Sequence, residues 1–127
     1  MANEMNEQGF IDDLMLDALE DYIRLWDVKS LAAAAFPELS ASTQVDIAKR
    51  SVRTLLDRAW VDAFQREWLG TRPGPEAPVD PVDAIGALDR AETWDDQATG
   101  HEYVIFRTDR GAREFAEDAR RRGLLRP

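Results

Sequence analysis

From Phe10 to Trp26 the apolar residues Ile11, Leu14, Met15, Ala18, Leu19, Tyr22, Leu25 and Trp26 recur at three- and four-residue spacing. Asp12, Asp13, Asp17, Glu20 and Asp21 fill the positions between them. That period predicts one amphipathic helix with an acidic outer face. Acids early in the run suit the positive end of its dipole. Residues 1–9 are polar and predict a frayed start. Asp27 to Phe36 is rich in alanine and predicts a short second helix, capped by Asp27 and stopped by Pro37. Ser42 or Thr43 is the expected cap of a third helix. Its core stripe is Val45, Ala48, Val52, Leu55, Leu56 and Ala59, and Gln44, Lys49, Arg50 and Arg53 lie off that stripe.

The period then changes. Trp60 to Trp68 is aromatic and imperfectly alternating, which predicts a strand. Gly70 to Pro81 is dense in proline and glycine and predicts an irregular loop. A short helix is expected over Pro81–Ala91, with Val82, Ile85 and Leu88 on one face and Trp94 packed beneath it. Asp95 to Gly100 reads as a loop. Glu102 to Arg107 alternates as a strand, with Tyr103 and Ile105 on one face and Val104 and Phe106 on the other. Thr108 caps a last helix, Asp109 to Arg122, whose inward residues are Ala112, Phe115, Ala116 and Ala119 and whose stop is Gly123. The fold class expected is α+β, mostly α, as a single domain over residues 1–127.

Composition narrows the function classes. At 44% hydrophobic residues a packed core is feasible. The chain has no cysteine, which excludes disulfides and thiolate metal sites. No apolar run is long enough to span a bilayer. The first residues carry acids instead of the basic-then-apolar pattern of a secretory signal, so a cytoplasmic protein is expected. Net charge is −9, and it is unevenly spread. Residues 1–28 hold eight acids against one base, and residues 59–108 hold ten against four. Residues 29–58 and 109–127 each carry a small positive excess. An acidic body repels the phosphate backbone that supplies most non-specific affinity for DNA.

Two junctions carry a family resemblance. Leu55-Leu56-Asp57-Arg58-Ala59-Trp60-Val61 resembles the leucine-leucine-x-x-glycine-leucine-valine corner of winged helix-turn-helix regulators of the MarR and PadR type. Phe106-Arg107-Thr108-Asp109-Arg110-Gly111 resembles their leucine-threonine-x-x-glycine corner after the second wing strand. The likeness extends over residues 27–118 and is closer still to small winged-helix proteins of actinobacteria. It implies three N-terminal helices, a two-stranded wing and a C-terminal helix. Two departures stand out. Ala59 occupies the usual glycine position, and residues 70–100, including a predicted helix, extend the wing far beyond a short hairpin.

The resemblance implies a DNA-binding transcriptional regulator. In that role Arg50 and Arg53 read guanine edges and Gln44 reads adenine. Lys49 touches phosphate, and Ser42 and Thr43 hold a phosphate at the helix start. Arg66 and Arg72 contact the backbone from the wing. A two-fold homodimer through the first and last helices is implied as well. Each residue also has a plainer reading: a solvated helix face with an Asp46–Arg50 pair, and solvated wing arginines. Arg120, Arg121 and Arg122 complement the negative end of the last helix. Trp26, Trp60, Trp68 and Trp94 are expected at the core or its edge. The competing functional reading is an acidic winged-helix module that binds protein and not DNA. Catalysis finds little footing. The lone His101 beside Glu102 reads as a turn, the Asp12, Asp13 and Asp17 cluster as a solvated face, and no cofactor motif is present.

Overall fold

The computed structural model describes residues 6–69, 71–95 and 101–124. Helix α1 spans Glu7–Glu20, strand β1 Ile23–Arg24, α2 Leu25–Ala35 and α3 Ala41–Asp57. Strands β2 (Val61–Leu69) and β3 (Arg72–Pro78) follow, then α4 (Pro81–Ala87), a 3-10 turn at Ala91–Trp94, β4 (His101–Arg107) and α5 (Asp109–Arg121). The four strands form one antiparallel sheet in the order β1-β4-β2-β3. The class is therefore α+β, with five α-helices around a four-stranded sheet among the described residues.

The first helix ends earlier than its apolar spacing predicts. After Glu20 the chain extends, with the Asp21 carboxylate accepting from the Tyr22 amide at 2.7 Å. Ile23 and Arg24 then pair with Ile105 and Val104. Helix α2 starts at Leu25, so Asp27 is not its cap. It sits in the first turn and takes a bidentate bond from Arg24 at 3.0 and 3.1 Å. The cap of α3 is Ser40, two residues before the expected position, with its hydroxyl accepting from the Thr43 amide. The buried face of α3 is Ile47, Ala48, Ser51, Val52 and Leu55, and Val45, Leu56 and Ala59 are not fully buried.

The expected loop at residues 70–81 is largely a strand. β3 carries Pro73, Pro75 and Pro78, and it lies at the sheet edge, where a missing N–H faces outward and costs no ladder bond. Its register slips between Arg66 and Trp68, a bulge. Gly74 is buried there, and a Cβ would come within 2.6 Å of the Glu67 carbonyl oxygen. In α4 the buried residues are Ala84, Ala87 and the adjoining Leu88, whereas Val82 points to solvent. Trp94 does pack beneath, donating its indole N–H to the Leu88 carbonyl at 2.9 Å. Residues 96–100, part of the expected loop, lie outside the described residues.

One core joins the elements: Phe10, Leu14 and Met15 of α1, Val28 and Ala32 of α2, Val52 and Leu55 of α3, and Val61, Ala63 and Ile105 of the sheet. The other sheet face buries Val104, and Tyr22 stacks on Phe106 at 4.7 Å and meets Phe64 edge-on at 5.4 Å. The two motif-bearing corners touch. Thr108 caps α5 through the Gly111 amide, and its hydroxyl donates to the carbonyls of Ala59 and Trp60. Its amide also bonds the Trp60 carbonyl at 2.9 Å. A Cβ on Gly111 would lie 2.0 Å from that carbonyl oxygen, so glycine is what lets α5 start against the α3–β2 corner.

Candidate functional site

The outward face of α3 carries most of the residues expected to read DNA, and the fold engages nearly all of them internally. Arg50 makes a two-pronged pair with Glu7 of α1, at 2.6 and 3.2 Å, in place of the expected Asp46 pair. That bond holds the Glu7 carboxyl below the ordinary glutamate range, against a smaller opposing effect of burial. Arg53 lies 3.6 Å from Asp57 one turn on. Gln44 turns back and donates to the carbonyls of Phe36 and Leu39, closing the α2–α3 turn. Ser42 and Thr43 sit in the first turn beside the Ser40 hydroxyl, at 3.3 and 2.8 Å. Lys49 makes no ion pair among the described residues. It lines a 220 Å³ groove with Arg50, Arg53, Asp46 and the α4-side residues Ile85, Leu88 and Asp89. Helix α4 and the turn after it thus stand alongside the outward face of α3.

Arg66 is not a wing-tip cation. Its side chain is 14% exposed and bridges two strands, to Glu102 of β4 at 2.6 Å and Glu76 of β3 at 3.4 Å. Glu102 is itself buried, and Arg24 approaches it at 3.9 Å. This row crosses the sheet in register and is structural. Arg72 is exposed on β3. At the other end of the molecule Arg122 clamps Asp12 of α1 at 2.7 and 3.0 Å and Asp118 of its own helix at 2.9 Å. Arg121 also reaches Asp118, so two of the three C-terminal arginines are held by carboxylates. Trp60 donates its indole N–H to Glu114 at 3.0 Å, packs edge-on against Phe115 and lies under Arg58. Trp60 and Trp94 are buried, while Trp26 and Trp68 are half-buried.

Helix α1 is therefore clamped on one side by arginines and open on the other. Asp13, Asp17 and Glu20 make no ion pair among the described residues. Partial burial, then the charges of Asp13 and Glu20, push the Asp17 carboxyl above its ordinary range. These acids line a groove between α1 and α2 with two adjoining lobes of about 250 and 490 Å³. The lobes share Asp17 and Leu31. The first has Phe10 and Leu14 at its bottom and Ala34 and Ala35 on its α2 wall, and the second runs on to Tyr22, Ile23 and Asp27. Leu31 is 39% exposed there, on the rim.

No group of three or more His, Cys, Asp or Glu among the described residues is placed to hold a metal. No helix among them is long and apolar enough to cross a membrane. The His101 side chain lies outside the described residues, and its neighbour Glu102 is committed to Arg66. Neither the family models, the curated proteins nor the solved structures yield a match to this chain. Sequence reading missed Glu7 and Glu102 as partners because their arginines lie 43 and 36 residues away. It missed Glu76, ten residues from Arg66, because a loop with solvated acids and not strand β3 is expected there. It saw the acids of α1 as a solvated face because the wall opposite, Leu31 to Ala35, belongs to another helix.

Proposed function

We propose that the chain is a winged-helix module that binds protein in preference to DNA. The winged-helix reading is supported by the element order. A short strand between the first two helices, a helix pair and two longer strands assemble as β1-β4-β2, with β3 and α4 inserted in the wing. The observation that carries the functional reading is the fate of the α3 cations. Arg50 and Arg53 each face a carboxylate of the same chain, and Asp46 and Asp89 line the same groove as Lys49. A face neutralised in this way offers little counterion release on DNA, whereas the acidic α1–α2 side attracts basic partners.

DNA binding is the second reading, and Lys49 with the hydroxyls of Ser42 and Thr43 favours it. Mobility shift of genomic fragments at low salt separates the two. The expected result is no shift with wild-type protein. A shift abolished by joint Lys49→Ala and Arg53→Ala substitution, with an unchanged thermal melt, would establish DNA binding and overturn the reading.

A further inference from the structure

We infer that the groove between α1 and α2 docks an amphipathic helix of about three turns, rich in Lys or Arg, on a partner protein. The inference rests on the protein-binding reading above and names its site and its ligand chemistry. The groove joins two features a solvated acidic face lacks: an apolar first lobe, and a rim of carboxylates, of which Asp13, Asp17 and Glu20 have no cation of their own among the described residues. Phe10 and Leu14 lie at the bottom, Leu31 projects at mid-length, and Ala34 and Ala35 keep the α2 wall low. Asp13, Asp17 and Glu20 stand along the α1 rim. Asp27 at the far end is the carboxylate already held by an arginine, Arg24. From Phe10 to Glu20 the α1 wall rises about 15 Å at 1.5 Å per residue, room for about three helical turns.

Charge and backbone chemistry select the occupant. Along most of the groove both walls are helices whose main-chain groups bond within themselves. Only Tyr22 and Ile23, at one end, belong to or adjoin the edge strand β1, which at two residues is too short to template an added strand. A helix brings its own backbone bonds satisfied and needs apolar side chains at i, i+3 and i+4 to meet Leu31, Ala34 and Ala35, with cations beside them. The carboxylates exclude nucleic acid and anionic lipid by repulsion. A second copy of this chain is a poor fit. Its basic helix α5 turns Arg113, Arg120 and Arg121 outward, with no large apolar residue among them to fill the floor.

The test uses the full chain and a labelled synthetic peptide of about 14 residues, with leucines on one helical face and lysines elsewhere. Fluorescence anisotropy is expected to show saturable binding in the micromolar range. A peptide of the same composition with its leucines dispersed should bind at least about tenfold more weakly, and one with glutamate for lysine should not bind. Leu31→Gln should weaken the first peptide about fivefold. Asp17→Asn with Glu20→Gln should weaken it about tenfold. Arg53→Ala, on another face, should leave it unchanged, and all variants should keep the wild-type circular dichroism.

Equal binding of the dispersed peptide, or no effect of Leu31→Gln, overturns the groove. Concentration-dependent self-association that Leu31→Gln abolishes also overturns it, by making a second copy the occupant. The two levels separate cleanly. A DNA shift with peptide binding still mapped to the groove sinks the general reading alone. Absent peptide binding with no DNA shift sinks the groove alone.

Discussion

Ala59 holds φ at +57° and is the one non-glycine residue with positive φ among those described. It turns the chain out of α3 into β2, where the Ala59 amide bonds the Leu56 carbonyl and the Trp60 amide bonds the Leu55 carbonyl, both at 3.0 Å. Its Cβ is exposed, so the conformation is imposed by the corner and not by packing of the methyl. The left-handed region costs an L-residue about 1–2 kcal/mol, and glycine returns part of that as unfolded-chain entropy. Ala59→Gly should therefore raise stability by about 0.5 kcal/mol, read as a higher urea midpoint at constant slope. A fall in midpoint would show that the alanine is relaxed there. Across the same corner Gly111 predicts the opposite sign. Gly111→Ala would gain about 1 kcal/mol of helix propensity in isolation. Instead it drives a Cβ into the Trp60 carbonyl, displacing α5, and should cost about 2–3 kcal/mol. A variant as stable as wild type would mean that the α5–Trp60 approach is looser than described.

At the scale of elements, what was legible in the sequence follows from what periodicity records. Helix α5 was readable because its buried stripe repeats over several turns and its cap is local: Thr108 is three residues from the amide it holds. Helix α3 was readable as a helix, but its cap is Ser40 and its buried face runs through Ile47 and Ser51, because Val45, Leu56 and Ala59 share the spacing without being fully buried. The end of α1 was not readable, because Tyr22, Leu25 and Trp26 continue the helical spacing while serving a turn, a two-residue strand and the next helix. Strand β3 was hidden by Pro73, Pro75 and Pro78, since composition cannot say that the segment will lie on an edge where prolines are harmless. The candidate site was half legible. The acids of α1 were plain, but whether each has a partner depends on pairs such as Glu7–Arg50 and Asp12–Arg122, 43 and 110 residues apart. These clamps predict how α1 is held. Each exposed pair alone contributes about 0–1 kcal/mol. Joint Arg50→Ala and Arg122→Ala should selectively increase hydrogen exchange in the outer turns of α1 relative to the sheet. Uniform change across the chain would refute α1 as a separately clamped element.

The whole molecule sets two populations of carboxylate against each other, and their titrations have opposite signs. Glu7 and Glu114 are held below the ordinary glutamate range, by Arg50 and by the Trp60 indole with Arg110 respectively. Each contributes stability that is present above its unfolded pKa and lost as pH falls through its lowered folded pKa. Asp17 is shifted upward by burial and by Asp13 and Glu20. Its folded form binds the proton more tightly than the unfolded chain does, so its charge costs stability at neutral pH. That cost is relieved as pH falls from its raised folded pKa toward its unfolded value. With a net charge of −9, protonation of surface acids also relieves general repulsion over the same range. Stability should therefore rise on mild acidification and fall only once the lowered glutamates titrate. Urea unfolding across a pH series should show a maximum on the acid side of neutrality. Asp17→Asn should raise the neutral-pH midpoint and reduce the rise. Glu7→Gln should lower the neutral-pH midpoint and flatten the acid fall. A wild-type profile declining steadily from neutral pH, or an Asp17→Asn variant less stable than wild type at pH 7, would show that the groove carboxylates are compensated. A compensated rim would also remove the electrostatic reason for a basic helix to seat between α1 and α2.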